Sequence, residues 1–128
     1  MKAQIDYKLI QDNENALDVN YKGIFHIDNE NKKYKITYTE NKVLNTLEID
    51  EKEKTVKITN INEMLFKENK DQNIKYKSAY GVIPLRLKTN LVEINHNEDK
   101  KELLIHLKYY LYQGSDPIIN ELNVLVKY

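Results

Sequence analysis

Apolar and polar residues alternate with a period of two along almost the whole chain. In the first segment Ala3, Ile5, Tyr7 and Leu9 are separated by polar residues, and the same alternation returns in later segments. It is clearest in the last two, from Leu103 to Leu111 and from Leu122 to Tyr128. Such a pattern places one face of a strand on a core and the other in solvent, as in antiparallel sheets. The chain is therefore predicted to be all-β.

Short polar segments rich in turn-forming residues separate the apolar runs, and they recur roughly every 10–12 residues. Connections this short favour hairpins between sequence neighbours, and hence an up-and-down meander. A flat meander of about ten strands would expose two long edges, which closure removes. The sequence thus predicts one domain over residues 1–128, a single closed or nearly closed antiparallel up-and-down β-barrel of about eight to ten strands, closed by its last strand.

Three positions interrupt the alternation. Gly23 lies inside a strand on the apolar face, where a missing side chain suits a bend or a close approach of backbone. Pro84 cannot donate to a ladder, so a bulge or a switch between neighbours is expected there. The segment Ile61–Phe66 is the one place where a short helix is an alternative to a strand.

Composition excludes several classes of protein. The chain has no cysteine, so disulfides and thiolate metal sites are excluded, and no apolar run approaches the ~20 residues of a membrane helix. The first residues do not resemble a signal peptide, and we expect a cytoplasmic protein without membrane association. The 20 basic residues are balanced by 20 acidic ones, which argues against a nucleic-acid partner, since a protein that follows the phosphate backbone carries a basic excess.

Several short motifs, in order along nearly the whole chain, resemble a known family. They are Tyr38-Thr39-Glu40, Met64-Leu65-Phe66, the stretch from Tyr80 to Thr89 that reads YGVIPLRLKT, and Leu107–Leu111, which reads LKYYL. In this respect the chain resembles the DUF1934 family of small bacterial proteins, the YwiB-like calycin or lipocalin-like barrels. The family's paired acidic motif reads Thr39-Glu40 here, and its Arg-x-Gly motif is absent from Ile58–Asn62. The resemblance implies a closed antiparallel barrel of unknown function, and fold alone does not fix function.

Tyrosines form the most informative constellation of polar groups. Tyr34, Tyr38, Tyr76 and Tyr80 share the apolar-facing register of two strands. A buried hydroxyl without a partner costs about 1–3 kcal/mol, so several inward tyrosines need one another, water or a ligand. One interpretation is a pocket with an apolar body and a few polar contacts. The other is a filled core whose tyrosines extend their hydroxyls to the barrel mouth.

The first functional hypothesis follows from the pocket interpretation: a cytoplasmic barrel that binds a small, largely apolar molecule near its mouth. The candidate ligand-binding residues are Tyr38, Glu40, Phe66, Tyr76 and Tyr80. Glu40 is placed there because it ends a strand beside Tyr38, where it would neutralise a ligand cation or accept tyrosine protons. Its alternative role is a solvated residue of the following turn.

The outer face of the last two strands carries the second hypothesis. Leu104, Tyr110 and Tyr112 lie opposite the core-facing register, and Leu125 lies on the same face of the neighbouring strand. Apolar residues on both faces suggest a covered patch. The cover is either a second copy of the protein, which makes this a homodimer interface or a protein-interaction module, or a loop such as Ile61–Asn73.

Catalytic and metal chemistry find little support. His26, His96 and His106 lie on separate strands without the short spacing of metal ligands, and neither Ser78 nor Ser115 has a nucleophile-elbow context. Three widely separated glycines cannot form a phosphate-binding loop. We therefore expect a protein that is not an enzyme and that holds neither a metal nor a cofactor.

Overall fold

Residues 1–128 form ten β-strands and no helix in the computed structural model. The strands are β1 (Lys2–Gln11), β2 (Glu14–Asp28), β3 (Lys33–Glu40), β4 (Val43–Asp50), β5 (Thr55–Thr59), β6 (Glu63–Lys67), β7 (Asp71–Ser78), β8 (Gly81–Asn97), β9 (Glu102–Tyr112) and β10 (Pro117–Lys127). No helical segment is present that would be long and apolar enough to cross a membrane.

All ten strands belong to one antiparallel sheet, in the order β6-β5-β4-β3-β2-β1-β10-β9-β8-β7. Sequence neighbours pair throughout, and the last strand returns to the first, with Ile5 opposite Val126 and Leu9 opposite Leu122. The prediction of an all-β, up-and-down, nearly closed barrel is confirmed. Its one break in strand pairing lies between β6 and β7.

Side chains bridge the break between β6 and β7. The Asn62 amide accepts a hydrogen bond from the Lys77 backbone N–H at 2.7 Å and donates one to the Lys77 carbonyl at 3.2 Å. Farther along, the Gln72 amide donates to the carbonyl of Leu65. These contacts take the place of a backbone ladder, because an amide side chain offers the same donor and acceptor as a peptide group.

Two-residue hairpin turns fix the register at one end of the barrel. Asp12 and Asn13 join β1 to β2 with φ of 49° and 67°, and Asn41 and Lys42 join β3 to β4 with φ of 50° and 64°. Two successive positive φ values define the turn whose twist matches that of paired strands, and Asp and Asn tolerate this conformation well.

The barrel interior is filled over most of its height by the residues of the apolar register. On β9, for example, Leu103, Ile105, Leu107 and Tyr109 are buried while the residues between them are not. Twenty buried hydrophobic residues form one continuous cluster. For most of the barrel, the filled core is therefore the correct interpretation.

Gly23 marks a close approach of backbone, as predicted. A β-carbon there would lie 2.3 Å from the carbonyl oxygen of Thr37 on β3 and 2.8 Å from Cδ1 of Ile5 on β1. The β2–β3 ladder begins at the next residue, where Ile24 pairs with Thr37. Only glycine lets the two strands meet at this distance.

Strand pairing decides between the alternatives at two positions. Ile61–Phe66 is not helical: β6 begins at Glu63, and Phe66 pairs with Val56 on β5. Pro84 causes no bulge, because β8 has a neighbour only on the β7 side there and pairs with β9 from Arg86 onward. A proline is tolerated at such an edge. The register shifts lie instead at Leu9/Ile10 and at Thr89/Leu91.

Candidate functional site

One end of the barrel is closed by aromatic side chains. The Tyr34 hydroxyl donates to the Glu51 carboxylate at 2.8 Å and lies 3.3 Å from Nδ1 of His96. Nε2 of His96 lies 2.6 Å from the hydroxyl of Tyr128, whose ring packs against Phe25 with centroids 4.8 Å apart. Every polar group of this chain of contacts has a protein partner, so the closed end is a satisfied core.

The opposite end is open and contains a cavity of about 380 Å³, here called the mouth cavity. Ten of its fourteen lining residues are hydrophobic, and the other four are uncharged amides. The lining consists of Tyr7, Leu9, Gln11, Ile58, Asn60, Asn62, Met64, Tyr76, Ile83, Leu85, Tyr109, Leu111, Gln113 and Ile118. An apolar pocket with a few polar groups, in the range of ~300–1,000 Å³, is the usual form of a small-molecule site.

Strand alternation places these side chains. Leu9 follows Tyr7 on the inner face of β1, Leu85 follows Ile83 on β8, and Leu111 follows Tyr109 on β9. The amides lie where strands end or have just ended, at Gln11 and Gln113 for example. The cavity is therefore apolar in its body and polar at its rim.

Tyrosine hydroxyls gather at this end of the barrel. Burial, together with the nearby Glu40 carboxylate, raises the pKa of Tyr7 to about 12. Burial raises the pKa of Tyr109 well above its usual range, with smaller effects from Tyr7 and Tyr76. The hydroxyls of Tyr7, Tyr76 and Tyr109 make no hydrogen bond to another protein group. They are consequently free to bind a ligand or water.

A second pair of tyrosines lies beside the cavity. The rings of Tyr21 and Tyr38 stack with centroids 4.4 Å apart, and Tyr7 meets Tyr21 edge-on at 6.2 Å. Burial is the main cause that raises the pKa of Tyr21 to about 12, and the neighbouring Glu40 carboxylate adds to it. The buried Tyr21 hydroxyl makes no hydrogen bond of normal geometry to another protein group.

The structure brings together some of the sequence-predicted ligand residues. Tyr76 lines the mouth cavity. Tyr38 does not line it: its buried ring stacks on Tyr21 and borders the outer groove beside Gly23. The exposed Glu40 acts on the Tyr21 and Tyr38 hydroxyls. Phe66 is fully buried and does not line the cavity, although its ring packs at 4.8 Å against that of Tyr109, which does. Tyr80 is 98% exposed in the β7–β8 turn, so its predicted inward register is wrong.

Sequence reasoning missed most of the cavity lining as a site. Tyr7 and Tyr109 belong to the apolar registers of β1 and β9, so the sequence predicts that both face inward. It does not predict that they line the same cavity. Tyr34, which shares the register of Tyr38 on β3, lies at the closed end instead. Alternation identifies the face of a strand, whereas the height along the barrel depends on strand stagger.

The outer face of β9 and β10 carries the predicted interface residues, but in two separate groups. Leu104, 38% exposed, lies directly opposite Leu125, whereas Tyr110 and Tyr112 lie toward the other end of β9. Between them, His106 contacts the Glu121 carboxylate at 2.8 Å. The Ile61–Asn73 segment does not cover this face, because it contributes β6 and part of β7 to the barrel wall.

A larger concavity lies on the outer surface beside Gly23. This groove encloses about 890 Å³ and is lined by Lys2, Lys22 and Lys127 together with the exposed Ile24 and Leu44. It is wide and open to solvent. The mouth cavity is smaller but more enclosed, and ten of its fourteen lining residues are hydrophobic against five of twelve in the groove, so it is the better candidate for a small ligand.

Metal ligands do not converge anywhere in the chain. His26 borders a groove on the outer surface, His96 belongs to the closed end, and His106 lies on the outer face of β9 between Glu93 and Glu121. No group of three His, Asp or Glu side chains has the spacing of a metal site.

Comparison with known proteins identifies a family and a fold. A family model described as "Domain of unknown function (DUF1934)" matches residues 2–123. The crystal structure of the ywiB protein from Bacillus subtilis superposes with a TM-score of 0.80 at 14% sequence identity, over 98% of this chain and 90% of that one. At this identity the likeness shows the fold alone. A search of curated proteins found no match.

Proposed function

The chain belongs to the DUF1934 family, and we propose that it is a binding protein that holds a small, largely apolar molecule in the mouth cavity of its barrel. The proposal involves no chemical step. That the protein is not an enzyme, and that it acts in the cytoplasm, stay predictions of the sequence.

The mouth cavity carries this proposal. Twenty buried hydrophobic residues form one continuous core in the barrel, yet at one end ten hydrophobic residues surround about 380 Å³ of space. Protein interiors leave few voids larger than a water molecule, so an open apolar space of this size is a cost in stability unless it serves binding. A ligand would restore the missing contacts.

The probe for a first test is 1-octanol, whose eight-carbon chain matches an apolar cavity. Burial of about 0.8 kcal/mol per CH₂ group, offset by the cost of association, is expected to give a dissociation constant of roughly 0.1–1 mM. The measurement is a titration of the ¹⁵N-labelled protein followed by chemical-shift changes, with calorimetry for the affinity.

A matched pair of variants locates the binding. Ile83 lines the cavity, whereas Val82, the preceding residue on β8, is 60% exposed on the outside. Ile83→Trp is expected to fill the cavity and weaken octanol binding by at least about tenfold, while Val82→Trp leaves it unchanged. Saturable binding that survives Ile83→Trp, or no binding to the wild type, would contradict the proposal.

A second candidate function is self-association through the outer face of β9 and β10. The observation that favours it is the directly opposed pair Leu104 and Leu125, two leucines on a solvent-facing surface. Light scattering at rising protein concentration tests it: Leu104→Ser should lower the measured mass to that of a monomer, and Lys108→Ser on the same face should not. A wild-type protein that stays monomeric contradicts the homodimer.

A further inference from the structure

We infer that the ligand of the mouth cavity is electrically neutral and carries a hydroxyl or carbonyl oxygen on an apolar body. This inference rests on the proposed binding function and narrows its ligand class. It is carried by the charges around the cavity and by the hydroxyl groups that lack protein partners.

The lining of the mouth cavity contains no charged side chain. Its fourteen residues include no Lys, Arg or His that would neutralise a carboxylate or a phosphate, and no Asp or Glu that would neutralise an ammonium group. Transferring an unpaired charge from water into such a site is strongly unfavourable. A charged head group would have to remain outside, in solvent.

A carboxylate acts on the tyrosine hydroxyls beside the cavity. Burial is the main cause that raises the pKa of Tyr7, Tyr21 and Tyr38, and in each case Glu40, the last residue of β3, raises it further. A site that disfavours a phenolate disfavours any other anion for the same reason. Fatty acids and phosphorylated molecules are therefore poor candidates.

The polar groups of the cavity require a partner with oxygen atoms. Tyr7, Tyr76 and Tyr109 line the cavity, their hydroxyls make no hydrogen bond to another protein group, and four amides surround the rim. Since an unpaired buried hydroxyl is costly, a ligand that is purely hydrocarbon would leave these groups unsatisfied. The oxygen of a neutral hydroxyl or carbonyl group accepts hydrogen bonds from these hydroxyl and amide groups without bringing a charge into the cavity.

Three probes that differ only in their head group test the inference. At neutral pH, 1-octanol, octanoate and octylammonium present the same chain with a neutral, a negative and a positive end. We expect octanol to bind most tightly, and octanoate to bind at least about tenfold more weakly. Tighter or equal binding of octanoate or of octylammonium would overturn the ligand class but leave the binding function intact. If no probe binds, the binding function itself fails.

A pair of charge variants tests the role of Glu40. Glu40→Gln removes the negative charge beside the hydroxyls and is expected to raise the affinity for octanoate relative to octanol several-fold. Glu53→Gln changes the same charge in the exposed β4–β5 turn and should leave this ratio unchanged. An unchanged ratio in Glu40→Gln would contradict the electrostatic argument.

Tyr7→Phe tests the hydroxyl contribution separately. The substitution keeps the ring that meets Tyr21 but removes one donor from the cavity lining. We expect weaker binding of octanol, by about three- to tenfold, as is typical for the loss of one hydrogen bond. Unchanged affinity in this variant and in Tyr109→Phe would contradict the requirement for an oxygen-bearing ligand.

Discussion

Gly23→Ala is the substitution whose effect the geometry determines most closely. The added methyl group would lie 2.3 Å from a backbone oxygen of β3 and 2.8 Å from the side chain of Ile5, which is fully buried. Gly23 does not have a positive φ, so the cost is steric and not conformational. Relief requires β2 and β3 to separate where their five-pair ladder begins.

The expected loss of stability is about 3 kcal/mol. Overpacking a well-packed site typically costs about 1–3 kcal/mol, and weakening one or two ladder hydrogen bonds adds about 1 kcal/mol each. With an unfolding entropy of about 2.1 cal/mol/K per residue, a chain of 128 residues loses about 4 °C in melting temperature per kcal/mol. Gly23→Ala should therefore lower the melting temperature by about 11 °C.

Thermal unfolding followed by circular dichroism, together with urea titration, measures this loss. The control is Gly81→Ala, where nothing lies within 4 Å of the added carbon and only the φ of 112° is unfavourable. That substitution should cost about 1 kcal/mol. If Gly23→Ala is no less stable than Gly81→Ala, the strands do not meet as closely as described.

Three further predictions concern the core, the tyrosines and the strand break. Phe66→Ala should cost about 3–5 kcal/mol in urea unfolding, and Phe66→Leu clearly less, because the ring is fully buried against Tyr109. The pKa of Tyr7 is raised to about 12 in the folded protein, above its unfolded value of about 10, so its contribution to stability is present below about pH 10 and is lost as the pH rises toward 12. Tyr7→Phe should therefore reduce the fall in melting temperature at alkaline pH. Equal falls in the wild type and the variant would contradict this. Asn62→Ala should speed hydrogen exchange of the Lys77 backbone amide by about tenfold, because it removes the oxygen that accepts the hydrogen bond of this amide at 2.7 Å. Unchanged protection would show that the Asn62 side chain does not bridge β6 and β7.

Much of the fold follows from alternation, because a strand with one buried face leaves a period of two in the sequence. That signal predicted the strand order, the closure of β10 on β1 and the close approach at Gly23. At Ile61–Phe66 it left a short helix open as an alternative to a strand, because β6 has only five residues. It also contained nothing about the break beside β6, which depends on side-chain amides rather than on apolar residues.

The candidate site was less predictable than the fold. Tyr76 lines the mouth cavity, whereas Tyr38 borders the outer groove, and the strand whose register suggested Tyr80 already ends at Ser78. Tyr7 meets Tyr21 because the β1–β2 hairpin pairs Tyr21 with Ile5, two residues before Tyr7, and Tyr21 in turn stacks on Tyr38 of β3. Such contacts depend on the register between strands, which the alternation within a single strand does not record.

We propose that the mouth cavity, and not the outer surface, binds a small apolar molecule. Intermolecular nuclear Overhauser effects between 1-octanol and the protein methyl groups test it most directly. Binding in the cavity predicts contacts from the octanol chain to Ile83, Leu85 and Leu111. Contacts only to Ile24 and Leu44, in the groove beside Gly23, would contradict binding in the mouth cavity.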